Sequence, residues 1–180
     1  MIEQRHSEFK LVEEKATGIL ENQEEPPLVE TGMFIIALMN CPSFENWNSW
    51  YIWSNQTSSL LAIRHILWNR VFDQQRFFNP LDGLRYGWST EPSIKIEIFP
   101  VEAQRFMKII DIIAQLTFHS FDLSVAILDG DQWSIRMPKH FGDNTIKWNS
   151  GTKHEIAISG KELYELLANF RRFDLRTSKK

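Results

Sequence analysis

The sequence predicts an α+β domain, a mainly antiparallel sheet with helices packed on one face. Three observations point there. Ile94, Ile96 and Ile98 alternate with Lys95 and Glu97, the period-2 pattern of a strand with one dry and one wet face. Asp129-Gly130 separates the segment Ser124-Val-Ala-Ile-Leu128 from the alternating Trp133, Ile135 and Met137, and Asp-Gly suits the positive φ angles of a tight hairpin turn. Two stretches, 100–116 and 159–170, place apolar residues at helical spacing. Strands and helices in this order suit helices layered on an antiparallel sheet.

Taken along the chain, residues 6–20 carry Phe9, Val12, Ala16, Ile19 and Leu20 on one helical stripe, and Pro26-Pro27 ends any helix soon after. Met33 to Leu38 is a short apolar run between Gly32 and Asn40-Cys41-Pro42, the signature of a buried strand. Residues 40–58 are polar and aromatic without a period that assigns an element. Leu60 to Phe72 fits two templates: Leu60, Ile63, Leu67 and Val71 share a helical face, yet the segment also alternates as a two-sided strand. Phe77 to Gly83 reads as a turn, with loop continuing through Gly87 to Pro92. Pro100 suits a first helical turn and Glu102 its positive end. Ala103, Phe106, Ile110 and Ile113 follow as the inner stripe, widened by Ile109, Ile112 and Leu116. Gly142-Asp143 reads as a turn before a strand at Thr145–Asn149. Ser159-Gly-Lys-Glu162 has the form of a capping box opening a helix with Leu163, Leu166, Leu167 and Phe170 on one face.

Length and composition bound the function. The 180 residues are 43% hydrophobic and 24% charged, ordinary values for one globular domain. The expected organisation is an acidic N-terminal helical arm over 1–30, a single α+β domain over 31–173 and a basic tail over 174–180. Residues 1–30 hold eight acidic side chains against three basic ones. The net charge of −3 argues against a general nucleic-acid binder. Cys41 is the only cysteine, so no intrachain disulfide forms and a reducing, cytoplasmic setting is expected. The longest apolar run, Met33 to Met39, falls far short of the ~20 residues that span a bilayer, so no membrane partner is expected.

No strong catalytic or cofactor spacing is present: no helical His-x-x-x-His pair, no Cys-x-x-Cys, no Gly-x-Ser-x-Gly and no glycine-rich phosphate loop. No cofactor is implied. The densest ionisable cluster is Asp129, Asp131, His140, Asp143, His154 and Glu155. Carboxylates and histidines of this kind hold a hard cation or supply a general base; aspartates at hairpin tips equally serve turn geometry. A hydrolase or metal-dependent enzyme using Asp131, His140, Asp143 and His154, with Asp129 as a further ligand, is therefore the alternative reading. Cys41 has no neighbour in sequence that would lower its pKa, so it reads as an inert buried thiol.

The feature above background is aromatic: seven Trp and thirteen Phe. Phe44, Trp47, Trp50, Tyr51 and Trp53 cluster in a segment, 43–59, that holds Glu45 and no Lys or Arg. Such rings fill a core or form a platform for a partner. Single-strand nucleic-acid sites pair stacking rings with a basic groove, which this segment lacks.

Phe77-Phe-Asn-Pro, a strand ending near Phe99-Pro100, Leu128-Asp-Gly-Asp-Gln-Trp133, Lys147-Trp148 and the closing Leu163, Leu166, Leu167 helix resemble the layout of small bacterial proteins without an assigned function. The resemblance covers about residues 60–170, implies a strand over 60–71, and carries no catalytic or binding residue across. The resulting expectation is a non-enzymatic binding protein acting through protein–protein contact, antitoxin-like or immunity-like in character. Phe44, Trp47, Trp50, Tyr51 and Trp53 are the partner-binding candidates. Neither the partner nor the oligomeric state follows from the sequence.

Overall fold

The computed structural model describes residues 2–22, 32–55, 60–104, 106–108, 111, 131–139, 142–149, 151 and 155–177. A six-stranded sheet organises them, built from β1 (Gly32–Cys41), β2 (Trp47–Asn55), β3 (Leu60–Trp68), β4 (Ile94–Glu102), β5 (Gln132–Lys139) and β6 (Gly142–Asn149). Helices with assigned bounds are α1 (Ile2–Leu20), α2 (Arg70–Phe78), α3 (Pro80–Tyr86) and α4 (Glu155–Thr177), and residues 104, 106–108 and 111 are helical as well. Strands β1 to β4 form a meander, and β5 returns to pair with β1, giving the order β4-β3-β2-β1-β5-β6. Every neighbouring pair is antiparallel. The α+β class stands. The helices differ from expectation in lying on both faces of the sheet.

The two faces follow from side-chain alternation along each strand. One face carries Ile36, Leu38, Trp50, Ile52, Ile63 and Ile135, packed under Ala157, Leu163 and Leu167 of α4 and under Phe106. The other carries Ala37, Tyr51, Trp53, Ile66 and Trp68, packed under Phe9, Val12, Ala16 and Leu20 of α1 and Phe77 of α2. A bulge between Phe34 and Ile36 shifts the β1–β2 register and turns both Ile35 and Ile36 towards the α4 layer.

The acidic arm is therefore a core helix up to Leu20. Its stripe of Phe9, Val12, Ala16 and Leu20 is buried, and burial of each large side chain contributes about 1.5–3 kcal/mol. The sheet also holds its C-terminal end: the Tyr51 hydroxyl donates to Leu20 O at 2.6 Å, and Arg64 Nη1 donates to Asn22 O, just past the helix, at 3.1 Å. With no basic residue in the last turn of α1, Arg64 provides the positive charge that a helix C-terminus favours. Arg70 ties the same helix to the body through Glu13 at 3.0 Å, Ser43 O at 2.8 Å and the ring of Trp47.

Several local expectations change. The ambiguous segment is strand through Trp68 and then helix from Arg70, with Asn69 capping Phe72 N. Residues 77–83 are no turn: Asn79 closes α2 and its side chain caps α3 at Leu81 N, with Pro80 in the first turn. Gly87, at φ 78°, ends α3 in a backbone region that disfavours other residues. Pro100 and Glu102 belong to β4, where an edge strand tolerates a residue without an amide donor; helical hydrogen bonding begins at Ala103 O. Gly142 and Asp143 pair with Lys139 and Pro138 as the start of β6. Ser159 lies inside α4, because Glu155 to Ile158 extend the helix and Ala157 is buried against the sheet. Gly160 lets α4 approach closely, since a Cβ there would sit 2.8 Å from the Trp148 ring. The run 124–128 and the Asp129-Gly130 turn lie outside the described residues, as do Ile109, Ile110, Ile112, Ile113 and Leu116. In 174–180, α4 continues to Thr177 and 178–180 lie outside.

Candidate functional site

The aromatic segment does not form a platform. Trp50, Tyr51 and Trp53 are buried, because β2 is a central strand with helices over both faces. A spacing of three along a strand reverses the face at each step, so Trp50 points under α4 while Trp53 points under α1. Trp47 is half-buried, edge-on to Trp68 at 5.0 Å, and its indole donates to Pro42 O. Phe44 alone of the five is exposed, at 78%. The structure divides these five residues: Tyr51 and Trp53 stack at 5.7 Å on the α1 face, Trp50 lies on the α4 face and Phe44 stands at the surface.

The catalytic alternatives fare differently. Asp129, His140 and His154 lie outside the described residues; Asp131 precedes β5 and Asp143 stands in β6. Among the described residues no group of three His, Cys, Asp or Glu side chains could hold a metal ion. Burial pushes the Cys41 thiol up to about 12, with the Glu21 carboxylate adding to the rise, so the thiol stays protonated at neutral pH and is a poor nucleophile. His65 was not singled out in the sequence. Its Nε2 is 2.9 Å from Asn48 Oδ1 and its Nδ1 is 3.7 Å from Glu97 Oε2. The ring is 1% exposed and stacks on Trp50 at 3.7 Å, which makes it a packed core histidine.

A buried polar knot secures α2. Asp73 Oδ2 accepts from the Trp68 indole and from Ser93 N, each at 2.7 Å, while Oδ1 accepts from Ser93 Oγ at 2.6 Å and pairs with Arg76 Nε at 3.0 Å. Arg76 Nη2 in turn donates to Glu91 O at 2.6 Å. The knot fixes α2 and the segment 91–93 to the end of β3.

That rigid seat presents apolar side chains outward. Leu81 and Leu84, three apart on α3, are 76% and 74% exposed. Phe78, Tyr86 and Trp88 flank them, each more than a third exposed. Trp88 lies against Gly83, where a side chain would collide with the indole, and Arg5 sits over the Trp88 ring at 5.0 Å. Arg85 similarly covers Tyr86 at 5.2 Å. Aromatic and arginine side chains around apolar anchors are the composition enriched at protein interfaces.

A second concavity opens where α1 ends. Strands β5 and β6 turn Trp133, Ile135 and Trp148 to the α4 layer, leaving polar residues on the opposite face beyond the cover of α1. The ladder aligns them in two rows. Tyr51, Ala37, Arg136 and Thr145 face one another across β2, β1, β5 and β6, and Ser49, Met39, Ser134 and Lys147 form the next row. These rows and Glu21, just past α1, line a cavity of about 280 Å³. A smaller cavity of about 160 Å³ shares Met39, Ser134 and Lys147 with it.

The chain matches no protein-family model, no curated protein and no solved structure. Among the described residues no helix is long and apolar enough to cross a membrane. Both surfaces escaped sequence reasoning for identifiable reasons. Leu81 and Leu84 carry a helical spacing, but Pro80 and Gly83 masked it as a turn. Ser134 and Arg136 were visible as the wet side of a strand, but their alignment with Lys147 and Ser49 depends on a strand order that no local pattern encodes.

Proposed function

We propose that this chain is a non-enzymatic binding protein that acts through protein–protein contact, and that its contact surface is the α2–α3 hairpin with Trp88 rather than the aromatic segment of β2. The observation that carries this reading is the exposure of Leu81 and Leu84 on α3, which follows directly, through the Asn79 cap, on an α2 held by Asp73, Arg76 and Ser93. Single exposed leucines are ordinary; five large apolar side chains exposed within residues 78–88 form a concentration of the kind that marks an interaction site. A seat already ordered also lowers the entropy lost on association. An antitoxin-like or immunity-like action, in which a small acidic protein masks another protein's surface, fits the net charge of −3. The single protonated thiol fits a reducing cytoplasm.

The test is affinity capture from expressing cells with the wild type and with Leu81→Glu/Leu84→Glu in parallel. Both sites are exposed, so the variant keeps its melting temperature within a few degrees while the proteins retained by the wild type are lost. Equal retention by the two proteins overturns the reading.

A further inference from the structure

We propose that the groove over β2, β1, β5 and β6 binds a small phosphomonoester bearing a hydroxyl or amino group. The proposal is independent of the α2–α3 surface, which lies on other elements. Three observations carry it. First, the groove is concave and sized for a small ligand: about 280 Å³ falls just under the roughly 300–1,000 Å³ typical of sites for drug-sized molecules.

Second, its lining is a convergent set of donors. Arg136 and Lys147 stand diagonally across one step of the β5–β6 ladder, with Ser134 opposite Lys147 and Thr145 opposite Arg136. Neighbouring strands lie about 4.8 Å apart, and a two-residue step along a strand spans about 6.7 Å, so the four side chains leave the sheet within one such step of each other and all line the groove. A guanidinium offers a planar fork and an ammonium a point charge, the pairing suited to an oxyanion with several acceptor oxygens. Among the described residues Lys147 makes no ion pair.

Third, Ser49 lines the groove floor, is 1% exposed, and its hydroxyl has no hydrogen-bond partner among the described residues. Burying a hydroxyl without a partner is unfavourable, and an oxyanion oxygen above the floor removes that cost. Glu21 defines the rest of the ligand. Among the described lining residues its carboxylate is the one anionic group; it repels a bare polyanion and accepts a hydrogen bond from a hydroxyl or amine carried by the ester. No bond is made or broken in this step.

Isothermal titration of the full chain with glycerol 3-phosphate, inorganic phosphate and glycerol tests the proposal. The wild type is expected to bind glycerol 3-phosphate saturably, inorganic phosphate more weakly and glycerol not at all. Arg136→Gln and the exposed Lys147→Gln each weaken the ester roughly tenfold or more, the usual effect of losing a charge-assisted hydrogen bond. Ser49→Ala weakens it less, and Glu21→Gln narrows the gap between the ester and inorganic phosphate. Circular dichroism confirms that each variant is folded, and Lys147→Gln, at the exposed edge of the groove, serves if Arg136→Gln is not. Absence of saturable binding, or binding that the variants leave unchanged, overturns the site. Inorganic phosphate bound as tightly as the ester overturns the assignment to phosphomonoesters.

Discussion

At the scale of single residues, stability rests on aromatic rings and the buried Asp73–Arg76 ion pair. Trp50 fills the space between β2 and the α4 layer, with His65 stacked on it. Trp50→Ala should therefore cost about 3–5 kcal/mol. Asp73→Ala strands Arg76, which is 5% exposed, and should cost a similar 3–5 kcal/mol. Chemical denaturation of both variants checks this, and a loss below 1 kcal/mol at either would contradict the placement. Alkaline stability reports on two further groups. Burial raises Cys41 from 9.0 and Tyr51 from 10.0, each to about 12. Both ionise in the unfolded chain before they do in the folded one, so their contribution is complete below about pH 9 and is lost as the pH climbs towards 12. The melting temperature of Cys41→Ala/Tyr51→Phe should accordingly fall less between about pH 9 and pH 11 than that of the wild type. Parallel curves would show that neither thiol nor phenol is held protonated by the fold.

At the scale of elements, the legible parts are those whose two sides differ. The β5 alternation of Trp133, Ile135 and Met137 with Ser134 and Arg136 is plain because one side is wet. The β1 run and the α1 stripe are plain for similar reasons of pattern. β2 was not legible: Trp50 and Ile52 are buried on one face and Tyr51 and Trp53 on the other, so no polarity contrast marks its period. The same physics misplaces the aromatic segment as a candidate surface. α1 shows a different gap. Its stripe is readable, but its destination is not, since nothing local says that Tyr51 and Arg64 close its C-terminus. Because Val12, Ala16 and Leu20 are fully buried, a chain beginning at residue 31 should lose its cooperative thermal transition. A truncated chain that melts sharply near the wild-type temperature would restore the acidic segment to the status of a peripheral arm.

At the scale of the whole molecule, the helices divide the sheet into a doubly covered part and a singly covered part. Strands β1, β2 and β3 are sandwiched between α1–α2 and α4, which accounts for their mutually buried aromatics. β5 and β6 are covered on the α4 side, and among the described residues no helix covers the other, which leaves room for the Arg136–Lys147 groove. Layer number was beyond the sequence because it depends on where α1 and α2 return, and both follow from contacts distant in the chain. The α+β class was legible because the antiparallel strands and the long helices each carry their own period. Recognition in this account is a property of the outward side of α3, which follows an α2 held by a buried ionic knot and packs Gly83 against Trp88. A photoreactive benzoyl-phenylalanine introduced at position 84, with a control at the equally apolar and partly exposed Ile96, measures this directly in expressing cells. The account predicts a discrete covalent adduct with another protein from position 84 and none from position 96; an absence of adducts at 84, or equal labelling at both positions, would contradict it.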